Sequence, residues 1–241
     1  MLIPHYLESP YSIVKRVYLG FKRIFLKKMP LENEFQNYDQ YWKSRKTVQH
    51  QFRYKYVASL LPDEGSVLDL GCGRGDFLKY LKSIKPNLNL TGVDVSELAI
   101  NELRKDGIDG IVCDLSSEEL PDDLNIDYVV LMEFIEHIPN PEDIIRSLNK
   151  HGVKEYFITI PNLGFIEHRL RLALGGKMPL TTIEVHINEH LRFWTVSDFK
   201  HWADHLGLRV EKIVGQYGVF NLWKVWPTLF ASGLIYVLRK K

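Results

Sequence analysis

Two acids and a histidine fall within five residues, Glu133-Phe-Ile-Glu136-His137, and a second histidine, His190, sits in Asn188-Glu-His-Leu-Arg-Phe-Trp-Thr195. Imidazole and carboxylate are the side chains that exchange protons near neutral pH, and both also ligate divalent metals. Glu136 is three residues and His137 four residues beyond Glu133, so a helix through them would put all three on one face. Two kinds of chemistry follow. His137 can act as general base toward a hydroxyl, with Glu133 beside the reacting centre. Alternatively, Glu133, Glu136, His137 and His190 can hold one divalent cation that acidifies a substrate hydroxyl. A third use is purely architectural, with Glu133 orienting a ligand and His137 capping a turn. The base reading, with no metal, is the working assignment.

A second set of residues is suited to binding rather than proton transfer. In Val67-Leu-Asp-Leu-Gly-Cys-Gly-Arg-Gly-Asp-Phe77, an apolar strand runs into Gly71, Gly73 and Gly75 and then a helix start. Glycines there let a ligand approach the main chain, and the N–H groups of the helix start face it. Asp94 closes the next strand, Leu90-Thr-Gly-Val-Asp-Val95; an acid roughly 20 residues past the turn suits ribose hydroxyls. A dinucleotide fingerprint needs another glycine three places after the second. Asp76 stands there, which disfavours NAD and FAD. Cys113-Asp-Leu115 occupies the end of the expected third strand.

These residues need a scaffold that brings strand ends together. From 66 to 160 the pattern alternates, with strands expected at 66–70, 89–94, 110–113, 126–132 and 154–160 and helices at 75–84, 96–105 and 141–150. Such alternation implies an α/β, doubly wound, mostly parallel sheet, whose ligands sit beyond the carboxyl ends of the strands. Asp69, Asp94, Val95, Asp114, Leu115, Met132 and Glu133 all fall at such ends. Thr195 or Ser197 should cap a helix through about 206, with Gly207 behind it. Strands near 208–215 and 233–239 complete the sheet, the terminal one antiparallel. The apolar stretch 220–238 is broken by Lys224, Pro227 and Gly233. It reads as a strand pair joined by an aromatic loop with Trp223 and Trp226, packed or interfacial.

The flanking segments are less regular. Residues 33–60 read as helical, with Tyr38, Tyr41, Trp42 and Tyr56 as anchors; Tyr38 or Tyr41 can contact a bound ligand. Residues 10–29 have helical period, with Val14, Val17, Tyr18, Phe21 and Phe25 on one face and Lys15, Arg16, Lys22, Arg23 and Lys27 mostly on the other. No acid occurs between Glu8 and Glu32. Such a helix suits an anionic membrane surface, its own domain, or a protein partner. The division expected is therefore a basic amphipathic extension at 1–32 and one domain at 33–241, with a loop-like insertion at 161–190 serving as lid or binding loop.

Composition bounds the function. The chain has 241 residues, 45% hydrophobic, with formal net charge +1. That supports a sizeable core and argues against an overall electrostatic grip on nucleic acid. Two cysteines, Cys72 and Cys113, both at strand ends, fit reduced buried thiols in a reducing compartment. Neither a secretory leader nor a span is expected. The expected location is cytoplasmic, with residues 10–29 able to touch the inner membrane face.

The order Asp69-x-Gly71-x-Gly73-x-Gly75, with Asp94 and Cys113-Asp-Leu115, resembles the class I S-adenosyl-L-methionine (SAM) methyltransferases. The resemblance covers most of 36–240 and implies a Rossmann-like sheet with added N-terminal helices and SAM as cofactor. It also implies that Asp69, Gly71, Gly73 and Gly75 cradle the methionine part, that Asp94 binds the ribose hydroxyls, that Asp114 and Leu115 contact the adenine, and that Val95 and Met132 also belong to the cofactor site. Thr159-Ile-Pro-Asn-Leu-Gly-Phe165 and Arg169-Leu-Arg-Leu-Ala-Leu-Gly-Gly-Lys-Met-Pro-Leu-Thr181 resemble the MetW family, associated with methionine biosynthesis and an acyltransferase partner. Ile183-Glu-Val-His-Ile-Asn-Glu-His190 departs from that pattern. A MetW-like subunit that binds SAM without catalysis is one implication. The Glu133–His137 block and the final strand pair resemble small-molecule O-methyltransferases of ubiquinone and glycan pathways, implying a small-molecule, glycan or lipid-linked acceptor. The same block with His190-Leu-Arg-Phe-Trp-Thr195 resembles RNA 3′-terminal 2′-O-methyltransferases, which hold a metal with two Glu and two His. The small-molecule reading is preferred, because an RNA enzyme should show a basic groove.

Overall fold

The computed structural model describes residues 10–28, 37–44, 52–179 and 189–241. Its centre is β1 (Gly65–Leu70), in which Val67, Leu68 and Leu70 are all buried. A strand apolar on both faces must lie inside a sheet covered on both sides. It pairs in parallel with β2 (Leu88–Asp94) on one edge and β4 (Tyr128–Met132) on the other. Beyond them lie β3 (Asp109–Val112) and β5 (Glu155–Pro161), also parallel. The final two strands are β6 (Leu208–Gly218) and β7 (Ala231–Lys240). The sheet order is β3-β2-β1-β4-β5-β7-β6, with β7 antiparallel to both neighbours. The chain therefore winds outward from β1 to β3, returns to β4, and leaves a crevice at the carboxyl ends of β1 and β4.

Helices cover both faces. The α3 (Phe52–Leu60), α4 (Asp76–Ile84) and α5 (Glu97–Lys105) helices bury Val57, Phe77, Leu78, Leu81, Ile100 and Leu103 against one face. The α6 (Pro141–Leu148) and α8 (Val196–His205) helices bury Ile144, Ile145, Leu148, Phe199 and Ala203 on the other. Thr195, rather than Ser197, caps α8 in a capping box with Asp198, and Gly207 follows at φ 74°. Two short helices, α9 (Leu222–Val225) and α10 (Pro227–Phe230), stand between β6 and β7 where a loop was expected. Trp226 there is exposed, while Trp223 packs against the core.

The N-terminal segment departs from a single helix over 10–29. The α1 helix (Pro10–Phe21) gives way to a π-helical turn over Lys22–Leu26. The change coincides with anchoring to α7 (Ile166–Ala173), a helix inside the segment expected to be loop. Arg23 donates to both Glu167 carboxylate oxygens at 2.6 and 2.5 Å. Arg171 donates to the Arg23 and Lys27 carbonyls at 2.7 and 2.8 Å, consuming acceptors that the π turn leaves open. The α1 face itself is uncovered: Val14 and Val17 are 67% and 60% exposed. The region 33–60 resolves into α2 (Tyr38–Ser44) and α3, with 33–36 and 45–51 outside the described residues. No helix among the described residues is long and apolar enough to cross a membrane.

Candidate active site

The glycine turn is held from below: the N–H groups of Gly71 and Cys72 donate to the Val93 carbonyl at 2.8 and 3.0 Å. Gly71, Gly73 and Gly75 have φ of 70°, 55° and 75°, a region that side chains disfavour. Space excludes side chains as well. A Cβ at Gly71 would meet the Phe134 ring at 2.3 Å, at Gly73 the Trp42 ring at 2.3 Å, and at Gly75 Leu103 at 2.2 Å. The first two glycines thus line a crevice walled by aromatic rings, whereas the third lets α4 pack against α5.

Asp94 is fixed at the end of β2. Its Oδ2 accepts the Gly73 N–H at 2.8 Å and its Oδ1 the Ser96 N–H at 2.9 Å. Burial raises its pKa and those two donors oppose the rise. Each oxygen keeps a lone pair for a hydroxyl donor. Buried Asp69 lies behind, its pKa raised well above the usual carboxylate range by burial and by Asp94. Asp114 is the opposite case: its Oδ1 accepts the Ser116 hydroxyl and N–H at 2.6 and 3.0 Å, and these hydrogen bonds lower its pKa. Over this end lies α2, whose Asp39 accepts the Ser96 hydroxyl at 2.5 Å and the Leu98 N–H at 3.3 Å. Tyr38, Tyr41 and Trp42 of α2 line the same cavity as Asp69, Gly71, Asp94, Val95, Asp114, Leu115 and Met132.

The Glu/His block is not a helix through Glu133. Only Ile135–His137 forms a 3-10 turn, and Glu133 precedes it at φ 51°. The shared-face expectation therefore fails for Glu133. Its N–H donates to the Thr159 carbonyl at 3.0 Å, and its Oε1 accepts the Thr159 hydroxyl at 2.9 Å and the Gln216 amide at 3.3 Å. Arg53 stands 3.8 Å away. The other three residues do converge. One ligand atom from each of Glu136, His137 and His190 lies within 4.8 Å of the others. The His137 and His190 rings meet edge to face, 4.8 Å between centroids.

Distant backbone contacts make that convergence. The Glu136 carbonyl accepts the Leu191 and Arg192 N–H groups at 2.7 and 3.1 Å. His137 Nδ1 pairs with the Glu189 carbonyl, so Nδ1 carries the proton and Nε2 the lone pair. Burial pushes the Glu136 carboxyl well up, with help from Glu133, and pushes His190 down to about 4, with help from His137.

A cavity of about 1630 Å³ joins both ends of the site. Single-ligand pockets run to about 1,000 Å³, so it has room for a cofactor and an acceptor together. Its lining includes Glu133, Tyr217, Phe220 and Asn221, which are the non-glycine residues with positive φ among the described ones. Backbone strain of that kind concentrates at functional sites. Sequence reasoning missed Asp39, Arg53, Thr159, Glu189, Gln216 and the aromatic rim. Asp39 stands one residue from Tyr38, Glu189 one residue from His190, and Thr159 opens the motif Thr159–Phe165; Arg53 and Gln216 carried no signal.

Comparison with known proteins gives this cavity a family. Residues 51–238 match the family described as "Methionine biosynthesis protein MetW". The ubiquinone biosynthesis O-methyltransferase of Coxiella burnetii is 30% identical over 172 residues, covering 68% of this chain and 72% of the relative. The enzyme of the same name from Pseudomonas entomophila is 29% identical over 160 residues, 62% and 66%. A SAM-dependent methyltransferase of Thermotoga maritima, described as a possible histamine N-methyltransferase, shares the fold with TM-score 0.56 at 17% identity, over 96% of each chain. So does the plantazolicin methyltransferase BpumL, in complex with a monoazolic desmethylPZN analog and SAH, with TM-score 0.54 at 22% identity, over 79% and 81%. The chain belongs to the MetW family and is a class I SAM-dependent methyltransferase. The glycine cradle that side chains would fill, and Asp94 with lone pairs to spare, fit that cofactor.

Proposed function

We propose that this methyltransferase acts on a hydroxyl of a small molecule, glycan or lipid-linked precursor, and that the hydroxyl is activated at His137. SAM supplies an electrophilic methyl on a sulfonium, so the protein has only to orient the acceptor, exclude water and deal with a proton. In this reading Gly71, Gly73 and Asp69 hold the methionine part, Asp94 and Val95 the ribose, and Asp114, Leu115 and Met132 the adenine. Glu133, braced by Thr159 and Gln216, orients the cofactor's charged centre. The observation that carries the proposal is the His137 tautomer. With Nδ1–H given to the Glu189 carbonyl, Nε2 is the basic nitrogen at the cavity wall.

The O-methyltransferase names of the curated relatives support an oxygen acceptor. The exposed aromatic rim of Tyr217 and Phe220 suits an acceptor with an apolar body. An RNA acceptor is disfavoured by the charged lining, in which Asp69, Asp94, Asp114, Glu133 and Glu189 outweigh Arg23, Arg53 and Arg74. Assay of phenolic, glycosyl and lipid-linked hydroxyl acceptors with labelled SAM tests the proposal, alongside amine and thiol controls. Methyl ethers support it; label only on nitrogen or sulfur contradicts it.

The exposed α1 face, with Lys15 and Lys22 nearby, supports peripheral contact with an anionic membrane. Val14→Asp together with Tyr18→Asp, both exposed and outside the cavity lining, should release the protein from anionic vesicles while leaving SAM binding intact. Retention on the vesicles would exclude that face.

A further inference from the structure

We infer that Val17, Gly20 and Arg23 of the N-terminal segment wall the far end of the acceptor subsite, and that Gly20 sets how bulky an apolar body the acceptor can carry. The three residues are spaced by three and so form one stripe along the helical segment. All three line the large cavity. They lie on its acceptor side. Glu167 and His168 line the cavity with them and belong to α7, which follows β5. His168 also borders the small void shared by Glu136 and His190.

The glycine is the informative member. Inside a helix, glycine is less favourable than any residue except proline, so its presence calls for a reason. Packing supplies none: a Cβ at Gly20 would meet only Glu167 Oε1, at an ordinary 3.6 Å. Backbone geometry supplies none either, because Gly20 does not have a positive φ. At Gly71, Gly73 and Gly175 the reason is contact, since a Cβ there would stand 2.3, 2.3 and 2.8 Å from its nearest neighbour. Gly20 differs in facing open space. A larger side chain at this position would project into the cavity.

The wall is also firmly held. Arg171 is 3% exposed, and a buried charge is costly unless it is well bonded. It donates to the Arg23, Ile24 and Lys27 carbonyls at 2.7, 3.3 and 2.8 Å and to the Met178 carbonyl at 2.6 Å. Lys177 donates to the Phe25 carbonyl. Gly175 permits this approach, for a Cβ there would also stand 3.1 Å from the Ile24 carbonyl oxygen. The π turn over Lys22–Leu26 that receives these bonds is of a kind frequent at functional sites.

The chemistry of the wall indicates what fits against it. Arg23 and Glu167 meet through two hydrogen bonds and neutralise each other. Val17, Phe165 and Phe220 add apolar surface to the lining. An uncharged, apolar substituent therefore suits the subsite better than a phosphate or a sugar. That the acceptor reacts through a hydroxyl rests on the reading above; the wall does not.

Binding tests the inference without turnover. Full-length protein saturated with SAH is titrated calorimetrically with 4-ethylphenol and with 4-hexylphenol. The four added methylenes should tighten binding about tenfold or more. Gly20→Leu should remove that gain while affinity for SAM and for 4-ethylphenol is retained. Gly20→Ala, which adds only a Cβ in open space, should melt no lower than the parent protein. Equal affinity for the two phenols, binding of neither, or a chain-length gain that survives in Gly20→Leu would overturn the inference. A lowered melting temperature in Gly20→Ala would also overturn it, because the glycine would then be structural. A gain lost in Gly20→Leu, combined with methyl transfer only to nitrogen or sulfur acceptors, would leave the wall standing and defeat the hydroxyl reading.

Discussion

The two ends of the cavity are built differently. At the cofactor end the glycines and the carboxylates of Asp69, Asp94 and Asp114 come from the ends of β1, β2 and β3 and the turns that follow them, with Tyr38, Tyr41 and Trp42 of α2 lying over them. Asp94 is held by Gly73 and Ser96, and Asp114 by Ser116. At the acceptor end Glu136 and His137 meet His190 only because the Glu136 carbonyl takes the N–H groups of Leu191 and Arg192. At the first end Asp94 and Asp114 are hydrogen-bonded without ligand; the second leaves a buried carboxylate and a buried imidazole nitrogen unpartnered. The proposed binding groups thus rest on strand ends and their turns, and the proposed reactive groups on a longer-range assembly. The two should respond separately to substitution.

The sharpest separation is expected at His137. His137→Ala should lower kcat by about 10²–10⁴-fold, the usual scale for loss of proton-transfer catalysis, with SAM affinity unchanged in a calorimetric titration. A parallel loss of SAM binding would mean that the two ends are not independent. Asp94→Ala is the converse. Removing a charged hydrogen bond, about 1.5–3 kcal/mol, should weaken SAM by roughly 10–100-fold, read by the same titration, and unchanged affinity would remove Asp94 from the ribose site.

How much of this was legible follows the same division. Strand ends and glycines announce a nucleoside site because a short backbone turn needs particular residues at fixed spacing. The sheet, the three glycines, Asp94, Asp114 and the Thr195 cap accordingly appear near their expected positions. Helical spacing alone makes Glu133 a partner of Glu136 and His137. The strained backbone at φ 51° and the Thr159 hydroxyl turn it away, and neither leaves a periodic trace. The π turn at Lys22–Leu26 depends on Glu167 and Arg171, some 140 residues distant, so helical periodicity ran straight through it. Of the stretch Ile183–His190 that departs from the MetW pattern, residues 183–188 lie outside the described residues.

A smaller effect sharpens the comparison further. His190 is held at about 4 by burial, below its ordinary value near 6.5. Between those two values the unfolded chain binds more protons than the native one, so stability falls as pH drops from about 6.5 toward 4. In chelated protein, His190→Asn should flatten that limb of a thermal-melt series. An unchanged slope would show that His190 is not buried in its neutral form.

The central claim is that the acceptor oxygen is methylated beside His137 by a SAM-dependent enzyme. Its most direct test is transfer of labelled methyl from SAM into fractionated host extract, with and without chelator, followed by identification of the labelled bond. A methyl ether in the small-molecule, glycan or lipid fraction, lost in His137→Ala, is the predicted result. Label confined to RNA, or no label anywhere from protein that binds SAM, would contradict it.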